Sequence, residues 1–272
     1  MLGYVFERFV EKSPISVMVR GTLERVLGPD PLDVWYARTA KKPSTRTRLF
    51  STVHDRMSQV VFRLQPSVHA AYRAQEAQGG TSVVSVYHTR HESEPHTSAA
   101  LVRSSAHQLA PLLEPLGGDR APWLRGSPVK MIDGNGLEAS AHRLEVLRRG
   151  DAGAFPGKSL GVSAPDQGVV HDVLPCEDGH AQERSLFAGV RKTVQAGDLW
   201  MADRTVWTRD LLCDIDHRGA GCIVRQHRGL PFEMRTPLRP LGRMETGHVA
   251  AHRVRVVDGQ GVAQTCRRLR IT

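Results

Sequence analysis

The sequence predicts an α/β protein in three stretches: a helical region over residues 1–120, a mixed-sheet core over 121–228 and the start of a β-rich segment over 229–272. Three observations carry this. Up to about residue 113 apolar residues recur at spacings of three and four, the period of a helix packed on one face. Between 128 and 228 short apolar runs alternate with helical patterns, and after 229 Pro, Gly and Arg interrupt every helical pattern. Two of the apolar runs, 129–132 and 199–202, deliver an aspartate just where the apolar pattern stops: Asp133 and Asp203.

At 272 residues the chain can bury a sizeable core. Its formal charge is +9, and from Arg204 onward 13 Arg and no Lys face 6 acids, so +7 of that excess lies beyond the second aspartate. Such a concentration fits a surface that neutralises phosphates. A compositional preference accounts for it equally, because the whole chain holds 31 Arg and only 6 Lys. Cys176, Cys213, Cys222 and Cys266 lie far apart without paired spacing, and neither a targeting segment nor a membrane-length apolar run is present. These features predict a soluble, cytoplasmic protein with no membrane partner.

The helical stretch begins with Tyr4, Val5, Phe9 and Val10 on one face, and Val17, Met18, Leu23, Val26 and Leu27 repeat the pattern after Pro14. Gly28, Pro29, Asp30 and Pro31 predict a break, 32–40 a short amphipathic segment, and Lys41, Lys42, Pro43 and Ser44 a second break. Over 49–72, Phe50, Val53, Met57, Val60, Val61 and Leu64 predict a helix that Pro66 ends or kinks. Gly79 and Gly80 mark a loop, and Val83, Val84 and Val86 form a short apolar stretch. His88, His91 and His96 have spacings that could suit a metal, yet no Cys or carboxylate pair accompanies them, so the segment reads as a solvated turn opening the next helix. That helix covers 98–113, and Gly117 and Gly118 mark a linker.

In the middle stretch, Leu137, Ala141, Leu144 and Leu147 suit a short helix after Asp133. Residues 159–163 and 169–174 suit a hairpin around Pro165, Asp166, Gln167 and Gly168. A helix over 180–194, with Leu186, Phe187 and Val190 inward, leads to the strand before Asp203; 211–215 lies on another helix, and 220–224 is a further strand. In the last stretch 249–257 and 266–271 read as strands around Asp258 and Gly259. The order is strand with Asp, hairpin, helix, strand with Asp, helix, strand. It resembles a ribonuclease-H-like core, in which the first and fourth strands are neighbours and their acids meet.

Two carboxylates on adjacent strands suit Mg²⁺ or Mn²⁺, hard cations that prefer oxygen ligands. Two such ions can activate an attacking hydroxyl and stabilise the leaving oxygen of a phosphoryl transfer, which normally needs a third carboxylate. Structural alternatives stand beside this reading: Asp203 could cap a helix, and Asp133, before Gly134 and Asn135, could be a turn residue. Glu177, Asp178, His180 and Glu183 stand where acids serve a helix dipole. Arg225, His227 and Arg228 could contact DNA phosphates or form a solvated edge, and Arg204 could hold a phosphate or pair with Asp203.

Segments 128–137, 156–160, 175–186, 197–204 and 223–227 together resemble DDE transposases of insertion sequences, the insertion-sequence-four (IS-four) family in particular. The resemblance extends to 49–51, 66–72 and 99–103, so it covers nearly the whole chain. It implies a helical DNA-binding N-terminal region, a ribonuclease-H-like catalytic core and a β-rich insertion. It also implies that Asp133 and Asp203 are the first two catalytic acids and hold Mg²⁺ or Mn²⁺. The family's third acid stands in the pattern Tyr-x2-Arg-x3-Glu-x6-Lys, and this chain has no Tyr after Tyr87 and no Lys after Lys192. The expectation is therefore a transposase cut off inside its insertion, which binds transposon-end DNA, with a second copy or an intact transposase as further partners, and is inactive alone. The competing expectations are a non-catalytic DNA-binding or dimerising remnant, and an unrelated metal nuclease with another acid converging on the same pair.

Overall fold

The structure is a computed structural model that describes residues 11–40, 48–75, 82–92, 95–113, 115–118, 120–140, 155–176, 178, 183–204 and 206–272. The apolar face of residues 4–10 and the predicted helical segment 141–147 lie outside the described residues. The described helices up to Gly118 form one compact unit, and the strands and helices after it form a second.

In the first unit α1 (Pro14–Leu27) and α2 (Pro29–Thr39) are separated by one residue. The predicted four-residue break shrinks to Gly28 because Pro29 opens α2, where a missing N–H and a fixed φ cost nothing. Gly28 turns the chain with its N–H still on the Glu24 carbonyl, and a Cβ there would collide with that oxygen. Next comes α3 (Arg48–Val61), packed on α2 through Phe50, whose ring stacks on Tyr36 at 4.3 Å between centroids. Asp33 of α2 accepts bonds from the backbone N–H and hydroxyl of Ser51 in α3, which fixes the pair's register.

Pro66 is not what ends α3. Arg63 adopts a left-handed backbone (φ 58°), its N–H bonds the Val60 carbonyl, and the Leu64 N–H reaches back to Gln59. That is the hydrogen-bond pattern of a helix C-terminal motif usually built on Gly. A new helix, α4 (Val68–Gln75), starts after Pro66 with the Ser67 hydroxyl accepting the Ala70 N–H. The apolar stretch at 83–86 is the start of a helix, α5 (Val83–Glu92), capped by Ser82. Finally α6 (Pro95–Leu113) packs on α1 and α2.

The second unit holds two sheets. The first contains β1 (Val129–Ser140), β2 (Phe155–Ala164), β3 (Val169–Cys176), β4 (Leu199–Ala202) and β5 (Gly221–Ile223), in the order β3-β2-β1-β4-β5. It is mixed: β1, β4 and β5 run parallel, while β2 and β3 form the predicted antiparallel hairpin, with Gly168 in its turn at φ 65°. The second sheet joins β6 (Glu233–Met234), β7 (Arg239–Met244), β8 (Gly247–Val257) and β9 (Ala263–Ile271), with β8 bonded to the other three.

Two expectations in this unit are corrected. Asp133 does not end its strand, because β1 continues to Ser140 with β2 alongside. The helix expected over 180–194 is, among the described residues, one 3-10 turn (Glu183–Leu186) and one α-turn, α7 (Phe187–Val190). It stops because the N–H and hydroxyl of Thr193 both close onto the Val190 carbonyl, and it sits tightly on β3, where a Cβ on Gly189 would strike Leu174.

One apolar cluster joins the two sheets. It contains Ile132 of β1, Trp200 of β4, Leu211, Leu212 and Ile215 of α8 (Arg209–His217), and Leu230 and Val256 from the last stretch. The turn after β8 also docks on α8, with the Gly259 N–H on the Asp210 carboxylate. Residues on both sides of 229 share this core, since Leu230 and Val256 join Leu211, Leu212 and Ile215 in one cluster.

Candidate functional site

Parallel pairing fixes where the two aspartates lie. Ile132 of β1 is the register partner of Ala202 of β4, so Asp133 and Asp203 each follow the last paired couple by one residue. Met201 pairs with Ile223 of β5, which extends the same row across the sheet to Arg225, two residues past β5. Alternation along β1 turns Asp133 away from Ile132, the strand's member of the core cluster, and both aspartates are exposed. Carboxyl ends of parallel strands are where α/β sheets hold ligands. The arrangement brings two carboxylates to adjacent strands at one level, which can share a hard cation, with an arginine on the outer side.

The corner that carries Asp203 is tightly built. The Val206 N–H bonds the Asp203 carbonyl, closing a turn, and the Trp207 indole N–H donates to the Ala202 carbonyl at 3.1 Å. Trp207 is fully buried beside Trp200 in the core cluster. A large ring locked beneath the sheet therefore ties the backbone on both sides of Asp203. The cap of α8 is Thr208, whose hydroxyl accepts the Leu211 N–H, so Asp203 is not that helix's cap. Likewise Asp133 lies inside a strand rather than in a turn.

The predicted cationic residues differ in their settings. Arg204, Arg225 and Arg228 are exposed, Arg204 directly after Asp203 and Arg225 two residues past β5. His227 is half-buried; its Nδ1 accepts the Gly229 N–H at 3.1 Å and its Nε2 is shielded from solvent, so in this structure it closes a turn. Of the acids in the 175–186 motif, Asp178 is exposed, whereas Glu177 and His180 lie outside the described residues. Among the described residues no group of three or more His, Cys, Asp or Glu side chains is placed to hold a metal ion.

A second charged group lies at the opposite ends of the same parallel strands. Asp198, buried just before β4, accepts the Gln195 N–H at 3.0 Å. Burial lowers the pKa of Lys130, against the pull of Asp198 and Asp166. His171 is lowered by burial and by Lys130, with Asp198 opposing. Only the Gly197–Asp198 turn signal announced this group, since the chain separation of Lys130, His171 and Asp198 hides it in the sequence.

Compared with known proteins, the chain matches no family model and no curated protein. No described helix is long and apolar enough to cross a membrane.

Proposed function

We propose that this chain is a DDE-type transposase polypeptide of the insertion-sequence-four kind, retaining Asp133 and Asp203 as metal-binding catalytic acids and acting on DNA in the cytoplasm. The observation that carries the reading is the shared register of the two aspartates on neighbouring parallel strands, β1 and β4. The strand order β3-β2-β1-β4-β5, with an antiparallel hairpin on one side, supports a ribonuclease-H-like core.

The two carboxylates fit one shared Mg²⁺ or Mn²⁺: both are exposed, both offer oxygen ligands, and they are level with each other. Such an ion would polarise a phosphodiester and make a bound water or hydroxyl more nucleophilic. Arg204, Arg225 and Arg228 supply positive charge that orients a phosphate backbone at this edge. A two-ion site needs a third acid, and without one the chain would bind DNA and not cleave it at a meaningful rate.

The second reading is a non-catalytic DNA-binding or dimerising remnant that interferes with an intact transposase. A gel shift with duplex DNA, combined with a Mg²⁺-dependent nicking assay on supercoiled plasmid, tests the proposal. DNA retardation without nicking is expected; no retardation even at low salt defeats both readings. Nicking that disappears in Asp203→Ala shows that a third ligand comes from elsewhere.

A further inference from the structure

Between α8, the end of β5 and the β8–β9 pair lies a cavity of about 120 Å³. Leu212, Val224, Leu230, Phe232, Val254 and Val256 form most of its wall. Its volume is near the ~150 Å³ of engineered apolar cavities that stay dry and accept benzene. Unlike those, this one has two cations in its wall, Arg267 and Arg268.

Arg268 of β9 lies over the Phe232 ring, with its guanidinium carbon 4.8 Å from the ring centroid. Its Nη1 donates to Nε2 of His252 at 3.2 Å, while its Nε is buried without a hydrogen-bond partner. It forms no ion pair with a carboxylate among the described residues. The other polar groups in the wall do not neutralise it. Cys222 and Cys266 carry free thiols. Burial pushes the Cys222 thiol up to about 12 and the Cys266 thiol up as well, so both stay uncharged at neutral pH. Arg268 is half-buried with its Nε shielded and unpartnered, and Arg presents paired N–H groups that match a carboxylate. Apolar walls with one or two fixed polar groups are also the usual makeup of small-molecule sites.

We infer that this cavity binds a small monocarboxylate with an apolar body of about benzoate size, its carboxylate on Arg268 and its body against Phe232, Val256 and Leu212. The inference does not depend on the transposase reading, since the cavity involves neither Asp133 nor Asp203. An occupant would bridge the second sheet to α8 and stabilise the folded chain by linkage.

The test uses the full 272-residue protein and benzoate as the probe, with benzyl alcohol and acetate as controls that keep only the body or only the head. Methyl NMR of Leu230, Val254 and Val256 reports occupancy directly on the wild type. Benzoate should shift these methyls in a saturable way and bind about tenfold or more tighter than either control, the scale of a charge-assisted bidentate pair. Arg268→Gln, which keeps much of the stem over Phe232, should reduce benzoate to the level of benzyl alcohol. Benzoate binding no tighter than benzyl alcohol, or shifts that leave these methyls untouched, overturns the inference on the wild type alone, even if the variant fails to fold. Full benzoate affinity in folded Arg268→Gln overturns it too.

Discussion

Replacing Trp207 tests whether the corner bearing Asp203 is held from beneath. The ring is fully buried and its N–H meets the Ala202 carbonyl, so two contributions can be separated. Trp207→Phe keeps most of the ring but orphans a carbonyl, which costs about 1–3 kcal/mol. Trp207→Ala also empties the space between β4 and α8, for about 3–5 kcal/mol in total. Against a domain stability of roughly 5–15 kcal/mol, the alanine variant is close to unfolding while the phenylalanine variant still folds. Urea denaturation followed by far-UV circular dichroism gives both numbers from midpoint shifts at constant slope. In Trp207→Phe the corner loosens, so any divalent-cation affinity at Asp203 should fall although no ligand was changed. Two variants that lose equally little, under about 1 kcal/mol each, would show that Trp207 is not an anchor and remove the reason for regarding Asp203 as prepositioned.

Three other outcomes follow from particular contacts. Arg63→Gly should stabilise the first unit by about 1 kcal/mol, because a left-handed backbone is strained for Arg and free for Gly; a destabilised variant on thermal melting contradicts the helix end described for α3. The Cys222 thiol stays protonated in the folded chain to about 12 but ionises near its ordinary value of 9.0 once unfolded. The unfolded state therefore holds fewer protons above pH 9, and stability falls as pH rises, by up to about 1.4 kcal/mol per unit. Cys222→Ala should flatten that alkaline limb in urea titrations at pH 8 and 10, and an unchanged slope refutes the burial. DNA retention in gel shifts should drop steeply with salt yet survive Asp133→Ala and Asp203→Ala, since Arg204, Arg225 and Arg228 attract phosphate through counterion release; salt-insensitive binding argues against this surface.

Where short-range patterns decide the structure, the sequence was readable. The 199–202 run became β4, the Pro165–Gly168 turn signal became the β2–β3 hairpin, and the amphipathic 211–215 segment became part of α8. Failures came where distant chain overrides local preference. Gly134 and Asn135 left a turn at Asp133 open, but with β2 alongside, the strand continues through them. Pro240 and Gly242 argue against a strand, but β7 is an edge strand whose register shifts between them, a place where a missing N–H and a positive φ of 134° are tolerated. For the site, the alignment of Asp133 with Asp203 was legible because each ends an apolar run of the same length. The Trp207 lock was not, because a hydrogen bond from an indole to a carbonyl five residues back leaves no pattern. Nor was the Arg268 cavity, whose walls come from residues between Leu212 and Arg268.

In the proposed site Asp133 and Asp203 hold one divalent cation together. Mn²⁺ titration of the purified chain by electron paramagnetic resonance, repeated on Asp133→Asn and Asp203→Asn, addresses it most directly, since Asn keeps the shape and removes only the charge. The register of β1 and β4 predicts a single site that either substitution weakens by about tenfold or more, with no further loss of that site in the double variant once one ligand is gone. Mn²⁺ affinity unchanged in both single variants, or lost in one and untouched in the other, would contradict a shared site.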